Sequence, residues 1–324
     1  MINSCCVTGA SGFVGRALCS FLRARGCRIT ALLRRQAEGP WDETIIAELG
    51  RDDISPALFD GVEAVFHVAG LVHAFSTDKD TYALYERVNV QGSASLADAA
   101  SKAGVRSFVY YSSVKAMGAP GEHCVDEDWH LLPDDPYGMS KREAEARVLR
   151  IGQDTDMQVT VLRPALVYGA GVKGNLHRMM DAIAKRRFPP LREVGNKRSM
   201  VHVDDLAEAA WLAATRPEAE NRIYIVSDGR PYSTHEIFTW ICEAVGRDTP
   251  SWTVPVRLLR AGAVLGDALE QRFGRRLPLD SEILDRLLGS ACYRSDKIQR
   301  ELGWQPHRHF REALPEMVAG LRNS

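Results

Sequence analysis

The chain has 324 residues, about twice the usual length of a domain, so we expect one large or two medium-sized domains. Hydrophobic residues make up 45% and charged residues 26% of the sequence, a composition that excludes extended disorder. Lysines and arginines number 41 against 42 aspartates and glutamates, which leaves a formal net charge of −1. This balance supplies no overall positive field for nucleic acid or for an anionic membrane, so an anionic ligand has to be held by local groups.

Neither the first residues nor the cysteines point to secretion. Met1 and Ile2 lead directly into a strand-like segment, without the basic start and cleavage site of a signal peptide. No apolar run is long enough to span a bilayer. The cysteines number 7, an odd number, and show no C-x-x-C spacing. We therefore expect buried free thiols in a cytoplasmic protein, and neither a zinc site nor a disulfide framework.

The first half of the chain alternates short apolar runs with amphipathic stretches of helix length. The apolar runs predict strands at 4–8, 28–33, 62–69, 106–112 and 158–163. The amphipathic stretches predict helices at 14–25, 81–103 and 139–151. Strands that are rich in Val, Ile and Phe and are separated by helices indicate an α/β fold, in which helices cover a parallel sheet.

The second half has a different rhythm, because prolines separate shorter helices. These are predicted at 204–215, 234–245, 281–288 and 310–321. Ser233 and Glu236 form the sequence pattern of a capping box at the start of the second of them. We expect a smaller mixed α/β unit here.

Glycines join the first predicted strand to the first predicted helix, in TGASGFVG at 8–15. Glycine permits a tight turn, lets the backbone approach a pyrophosphate and allows the helix to pack closely on the strand. Amides at the start of the helix then receive the anion. The segment predicts dinucleotide binding through Gly9, Ser11, Gly12, Phe13, Val14 and Gly15.

The end of the second predicted strand indicates which dinucleotide is bound. An acidic residue there would hold the adenosine ribose of NAD, but this chain has Arg34 and Arg35. Two guanidinium groups suit the ribose phosphate of NADP, so we expect NADP to be preferred over NAD. The alternative is that both arginines are solvated loop residues and that either cofactor is accepted.

Tyr137 and Lys141 lie one helical turn apart in YGMSK, so both side chains share a helix face. A free phenol ionises near pH ~10, and a neighbouring ammonium group lowers that pKa. Tyr137 can then exchange a proton with a substrate oxygen while hydride moves to or from a nicotinamide. Ser112 and Ser113 add hydroxyl groups at the end of a strand, where catalytic groups gather in such sheets.

These motifs belong to a longer ordered series. It also contains HVAG at 67–70, VNVQG at 88–92, YYSSVKAMG at 110–118, RPALVYG at 163–169, RSMVHVDDLA at 198–207 and ELGWQP at 301–306. Together they resemble the extended short-chain dehydrogenase/reductase family, in its nucleotide-sugar epimerase/dehydratase branch. The resemblance implies a Rossmann-type doubly wound sheet in residues 1–168. It implies a substrate-binding domain mainly in 169–324, with some segments returning to the first domain.

The resemblance also implies roles for individual residues. Tyr137 would be the acid/base, Lys141 would hold the nicotinamide ribose and tune the phenol, and Ser113 would hydrogen-bond the reacting sugar oxygen. Further cofactor contacts are implied for Asp53, Ile54, Ala69, Gly70, Asn89, Pro164 and Val167. Contacts with the diphosphate and base of a sugar nucleotide are implied for Asn175, Leu176 and Arg198.

One departure from the family pattern narrows the reaction. Sugar-nucleotide dehydratases of this branch carry Thr-Asp-Glu where this chain has Ser113, Val114 and Lys115, so the acid/base pair for water elimination is missing. Two activities stay open, both at carbon 4 of a UDP-sugar: a 4-epimerase with a resident NAD, and a 4-keto reductase that exchanges its cofactor. The arginine pair favours the reductase. Lys115 either reaches the substrate or is a solvated loop lysine.

Other polar residues have structural interpretations. We expect His67 and His202 to be satisfied core histidines, Asp204 and Asp205 to cap a helix, and 307–309 to be a surface loop. By resemblance, the helices at 81–103 and 139–151 would form a homodimer, in a polysaccharide or lipopolysaccharide precursor pathway. The rival hypotheses are a non-catalytic NADP-binding regulator and a reductase of steroid-like or flavonoid ketones. The intact Tyr137 argues against the first, and the polar Asn175, Lys197 and Arg198 argue against the second.

Overall fold

The computed structural model describes residues 2–72, 79–273 and 280–321. The strands within these ranges are β1 (Ser4–Thr8), β2 (Arg28–Leu33), β3 (Glu43–Ile46), β4 (Ala64–His67), β5 (Ser107–Tyr111), β6 (Cys124–Val125), β7 (Gln158–Pro164), β8 (Leu166–Tyr168), β9 (Met200–His202), β10 (Arg222–Val226) and β11 (Cys292–Tyr293). The helices are α1 (Phe13–Arg23), α2 (Lys79–Tyr85), α3 (Gly92–Lys102), α4 (Pro136–Gln153), α5 (Gly174–Ala184), α6 (Val203–Thr215), α7 (Thr234–Ala244), α8 (Val256–Phe273), α9 (Ser281–Leu288), α10 (Asp296–Leu302) and α11 (Phe310–Leu321).

The centre of the molecule is a 7-stranded parallel sheet in the order β10-β7-β5-β4-β1-β2-β3. From β1 the chain builds outward through β2 and β3, and then returns to β4 on the other side of β1. The strand order therefore reverses between β1 and β4, and in such sheets ligands bind at the carboxyl ends of the strands beside this point. Thr8 and His67 end these two strands and lie opposite each other in register. The predicted α/β class with a Rossmann-type sheet is confirmed.

The second half of the chain contributes to this sheet and its core. β10 pairs with β7 at the sheet edge, although the sequence did not suggest a strand there. α6 packs on the same side as α1, and their Ala210 and Leu18 share a core with Tyr224 of β10. The strands β3, β8 and β9 and the helices α5 and α8 were also not foreseen. Pairing between strands that are far apart in the sequence produces no periodic pattern in the local sequence, so it cannot be predicted from that pattern.

Two helix starts test the capping predictions. α7 begins with the predicted capping box, in which the Ser233 hydroxyl accepts the Glu236 amide and Glu236 accepts the Ser233 amide. At α6 the prediction was wrong, because His202 is the N-cap and its Nδ1 accepts the Asp204 amide at 3.2 Å. Asp204 and Asp205 instead lie in the first turn, where carboxylates favour the helix dipole.

The expectation for the cysteines was wrong for one pair. Cys124 and Cys292 form a disulfide across a sequence separation of 168, at the point where β6 pairs with β11. The spacing of cysteines in the sequence could not reveal a pair that long-range folding brings together. Cys5, Cys6, Cys19, Cys27 and Cys242 are the buried free thiols that were expected.

Two further findings concern the described ranges alone. No group of three or more His, Cys, Asp or Glu side chains in these ranges could hold a metal ion. A helix with the length and apolar content for a membrane crossing was likewise not found there.

Candidate active site

The glycine loop lies between β1 and α1, where the strand order reverses. Gly9 has a φ of +68°, a left-handed conformation that favours glycine, and its carbonyl accepts the Gly12 amide at 3.0 Å. A Cβ on Gly15 would lie 2.2 Å from the Gly9 carbonyl oxygen. The helix therefore approaches the loop as closely as backbone allows.

At the start of α1, no capping side chain accepts a hydrogen bond from the first backbone amides. Gly12 is the N-cap and provides no side-chain hydrogen bond, and the first turn carries no acidic residue. The first amides of such a helix are suited to an anion. Ser11 is exposed, and Phe13 and Val14 are half-buried beside it. This geometry fits the pyrophosphate of a dinucleotide.

The residues expected to contact the adenosine end of a cofactor lie after β2 and β3. Arg34 and Arg35 follow the last residue of β2 and are both exposed, without an ion pair to any other described residue. Asp53 is exposed as well, whereas Ile54 is 5% exposed and packs in the core. Both guanidinium groups are therefore accessible to an added phosphate.

Tyr137 lies in the first turn of α4 and faces the turn that follows β5. Asp135 caps the helix, since its carboxylate accepts the Gly138 amide at 2.9 Å. A Cβ on Gly138 would lie 2.6 Å from the Lys115 carbonyl oxygen, so α4 begins in close contact with this turn. The Ser113 hydroxyl accepts the Lys115 amide at 3.2 Å and hydrogen-bonds the Tyr137 side chain. The structure thus brings Ser113 and Tyr137 together.

The ionisation of this cluster differs from the prediction. Burial raises the pKa of Tyr137 to about 12, and the hydrogen bond from Ser113 only partly offsets this effect. Burial also lowers the pKa of Lys141 to about 8, against the opposing effect of the Glu145 carboxylate. The expected lowering of the phenol pKa by Lys141 was therefore wrong for this structure. The reason is that desolvation of the ring outweighs the other effects.

Lys141 and Asn89 are both fixed against neighbouring backbone. Asn89 lies in a π-helix (Glu86–Gln91) and is 1% exposed; its side chain pairs with both backbone groups of Leu71 and with the Ser140 hydroxyl. It therefore holds the turn after Ala69 and Gly70, and its amide is engaged within the protein. A Cβ on Gly70 would lie 3.1 Å from Lys141 Nζ, so this amine lies directly against the turn.

A buried ion pair beneath Lys141 was missed by sequence reasoning. The Glu145 carboxylate accepts Nε of Arg163 at 2.9 Å and Nη2 at 2.6 Å, and the two side chains are 3% and 7% exposed. The Ser112 hydroxyl donates to the same carboxylate at 2.5 Å. The only signal in the sequence was that Glu145 follows Tyr137 and Lys141 at helical spacing, on the same face of α4.

The candidate substrate residues are spread over several elements. Pro164 and Val167 are half-buried near the end of β7 and in β8, and Lys115 is exposed. Asn175 is exposed in the first turn of α5, whereas Leu176 is 5% exposed and its side chain packs in the core. Only the backbone of Leu176 remains for a ligand.

Arg198 is a half-buried guanidinium group that other parts of the chain hold in place. Its Nη1 donates to the carbonyl oxygens of Arg286 at 2.9 Å and Gly289 at 3.3 Å. No carboxylate among the described residues forms an ion pair with it, and burial lowers its pKa. A cation in this environment favours an anionic ligand.

The histidines have the expected structural positions. His67 is fully buried and both ring nitrogens have hydrogen-bond partners, while His202 is 1% exposed and caps α6. The predicted surface loop at 307–309 is exposed.

Known proteins resemble this chain in sequence and in fold. A family model described as "NAD dependent epimerase/dehydratase family" matches residues 5–227. UDP-glucose 4-epimerase of Vibrio cholerae is 31% identical over 98% of this chain and 94% of its own length. A 4-hydroxy-2-methyl-3-oxo-4-farnesyl-3,4-dihydroquinoline-1-oxide ketoreductase of Stigmatella aurantiaca is 32% identical over 92% of this chain and 90% of its own. The structure of MoeE5 in complex with UDP-glucose and NAD covers 99% of both chains, with a TM-score of 0.78 and 23% identity.

Proposed function

The chain belongs to the NAD-dependent epimerase/dehydratase family, and we propose that it acts at carbon 4 of a nucleotide-diphosphate sugar, with a UDP-sugar as substrate. The reaction would be reduction of a 4-keto sugar or epimerisation of the hydroxyl group. Arg198 is the observation that carries the proposal, because it is a half-buried cation, fixed by two carbonyl oxygens, without a carboxylate partner among the described residues. A diphosphate would supply the missing negative charge.

The residues of the chain suit the proton transfer that this reaction needs. The bound nicotinamide would supply or accept the hydride. Tyr137 would give its phenolic proton to the ketone oxygen, and Ser113, which already hydrogen-bonds Tyr137, would orient the same oxygen. Lys141 would hold the ribose hydroxyls, and the amides at the start of α1 would hold the pyrophosphate. Val114 and Lys115 provide no acid/base pair for water elimination.

Incubation with candidate substrates tests the proposal. Purified protein is given UDP-sugars and 4-keto UDP-sugars, with and without NADPH. Consumption of NADPH with a 4-keto sugar would identify the reductase, and isomerised sugar without consumption would identify the epimerase. If no UDP-sugar is isomerised and no 4-keto UDP-sugar is reduced with NADPH, the proposal is contradicted.

Recognition of the nucleotide can be tested without turnover. We expect UDP at millimolar concentration to raise the melting temperature of the protein, because a ligand of the folded state stabilises it. Arg198→Met should lose most of this shift, since the diphosphate loses its cation. Arg192→Met is the matched control, because Arg192 is exposed and lies near Arg198 in the chain. An unchanged UDP shift in a folded Arg198→Met protein would contradict the role of Arg198.

The cofactor preference rests on Arg34 and Arg35, and we propose NADP over NAD. A charge-assisted hydrogen bond contributes about 1.5–3 kcal/mol, so the loss of even one such bond in the double variant Arg34→Ala/Arg35→Ala should raise KM for NADPH by at least about 10- to 100-fold. KM for NADH should change little, because NADH lacks the phosphate. Arg150→Ala removes another exposed arginine, at the end of α4, and serves as the control. Equal changes for both cofactors would indicate that the pair does not discriminate between them.

A reductase of a non-sugar ketone is the second candidate, because the Stigmatella relative is described as a ketoreductase of a farnesylated quinoline. Such an enzyme should show no response to UDP, so the melting experiment separates the two. The intact Tyr137, Ser113 and Lys141 argue against a non-catalytic NADP-binding regulator.

The remaining parts of the proposal concern organisation. Residues 1–168 would bind the cofactor and 169–324 mainly the substrate, with β10 joining the first sheet. A homodimer would form through α2, α3 and α4, where Met139 is 42% exposed. A cytoplasmic enzyme of polysaccharide precursor synthesis remains the prediction.

A further inference from the structure

The ammonium group of Lys141 is held by the last residues of β5. Lys141 is 3% exposed, and its Nζ donates to the Tyr111 carbonyl oxygen at 2.7 Å and to the Tyr110 hydroxyl at 3.3 Å. The same Nζ lies 4.7 Å from the centre of the Tyr110 ring. Two of the three donors of the amine are therefore used by β5, which leaves one for a ligand.

The Tyr110 hydroxyl is itself the end of a buried hydrogen-bonded chain. Burial raises the pKa of Tyr110, and hydrogen bonding by Ser93, in the first turn of α3, opposes this effect. The Ser93 hydroxyl lies 2.8 Å from His67 Nε2. His67 Nδ1 lies 2.7 Å from the Thr8 hydroxyl, which also accepts the Ala69 amide at 3.0 Å. Tyr110, Ser93, His67 and Thr8 are each at most 1% exposed.

The sheet register puts this chain directly beneath the candidate site. Thr8 is opposite His67, and His67 is opposite Tyr110, across the adjacent strands β1, β4 and β5. Gly9, the first glycine of the loop, follows Thr8. This series of hydrogen-bonded side chains thus connects the start of the glycine loop to the amine of Lys141, and solvent does not reach it.

The imidazole of His67 connects the two hydroxyl groups of the chain as a neutral ring. Burial, together with the charge of Lys141, lowers the pKa of His67 to about 3. The ring therefore has one donor and one acceptor nitrogen at neutral pH, and it can link Thr8 to Ser93 in a single direction. Because this ring is neutral, His67 adds no second positive charge next to Lys141.

We propose that Tyr110, Ser93, His67 and Thr8 are positioning residues that hold Lys141 as an oriented cation one helical turn from Tyr137. The inference rests on the proposed function in one respect, namely that Lys141 works as a cation beside the acid/base. Tyr110 contacts the amine, and Ser93, His67 and Thr8 act through Tyr110. Glu145, whose carboxylate is paired with Arg163, also acts on the charge of Lys141. Glu145 and Tyr137 both act on the Tyr110 hydroxyl.

Tyr111 provides a matched control for this role. Tyr110 and Tyr111 are neighbours on β5 with their side chains in different cores, and both are buried. Within the described part of the chain, the Tyr111 hydroxyl has no hydrogen-bond partner. Tyr110→Phe and Tyr111→Phe therefore remove the same atom from adjacent buried rings, but only the first removes a contact with Lys141.

The experiment measures the pKa of Lys141 in the free protein. Lysine labelled with ¹³C at Cε is incorporated, its resonances are followed by NMR as a function of pH, and Lys141→Arg assigns the signal. The phenol oxygen stabilises the charged amine, so its removal in Tyr110→Phe should lower the pKa of Lys141 by about one unit. Ser93→Ala should lower it by less, and Tyr111→Phe should leave it unchanged.

Each outcome decides the proposal. A wild-type pKa for Lys141 in both Tyr110→Phe and Ser93→Ala, with the proteins folded, would overturn it. An equal shift in Tyr111→Phe would also overturn it, because the effect would then be general to the strand. No substrate enters the measurement, so failure here leaves the UDP-sugar proposal standing, and failure with UDP-sugars leaves this result intact.

Discussion

Turnover is expected to fall by about 10²- to 10⁴-fold when Tyr137 is replaced by phenylalanine, because the ring remains and only the transferable proton is lost. Burial raises the pKa of Tyr137 to about 12, so the phenol of the free protein is protonated at neutral pH. It is therefore ready to donate a proton to a ketone oxygen. The measurement is kcat for NADPH oxidation with a 4-keto UDP-sugar.

Binding of the cofactor separates lost chemistry from lost structure. The Tyr137→Phe protein should bind NADPH with nearly the wild-type Kd, measured by fluorescence titration, since the glycine loop and the arginine pair are unchanged. Tyr82→Phe is the control, because Tyr82 is 47% exposed and its hydroxyl has no part in the proposed chemistry. Full turnover in Tyr137→Phe would refute the acid/base role.

The parts of the fold that the sequence predicts well depend on neighbours in the chain. α9 and α11 have the predicted bounds, 281–288 and 310–321, because their apolar periodicity and their ends are local properties. The glycine loop and the Tyr137–Lys141 pair were recognised for the same reason. In each case the spacing alone places the groups on one turn or one helix face.

The parts that were missed depend on distant segments. β10 completes the sheet only because β7 is beside it, and Cys124 meets Cys292 only through the pairing of β6 with β11. The pKa of Tyr137 depends on its burial by neighbouring elements, and the spacing of residues along one helix does not predict that burial. His202 caps α6 because the helix begins at Val203, directly after the last residue of β9, although Asp204 has the side chain that such positions prefer.

The ion pair of Glu145 and Arg163 links α4 to β7. Its Glu145 lies at local helical spacing from Tyr137 and Lys141, whereas Arg163 comes from a distant strand. Glu145→Gln should destabilise the protein by about 3–5 kcal/mol, because the guanidinium of Arg163 would stay buried without a charged partner. The free energy of unfolding, from denaturant titration, measures this effect. Glu143→Gln on the same helix is the matched control, because the Glu143–Arg147 pair is exposed and contributes about 0–1 kcal/mol.

A second change distinguishes an unpaired charge from lost packing. Arg163→Met in the Glu145→Gln background removes the stranded guanidinium, so the double variant should recover part of the stability that Glu145→Gln loses. A double variant less stable than Glu145→Gln, or a Glu145→Gln protein as stable as Glu143→Gln, would contradict this account. Because the same carboxylate also accepts the Ser112 hydroxyl, loss of the pair should loosen the junction between α4 and β5, from which both Ser113 and Lys141 take their positions.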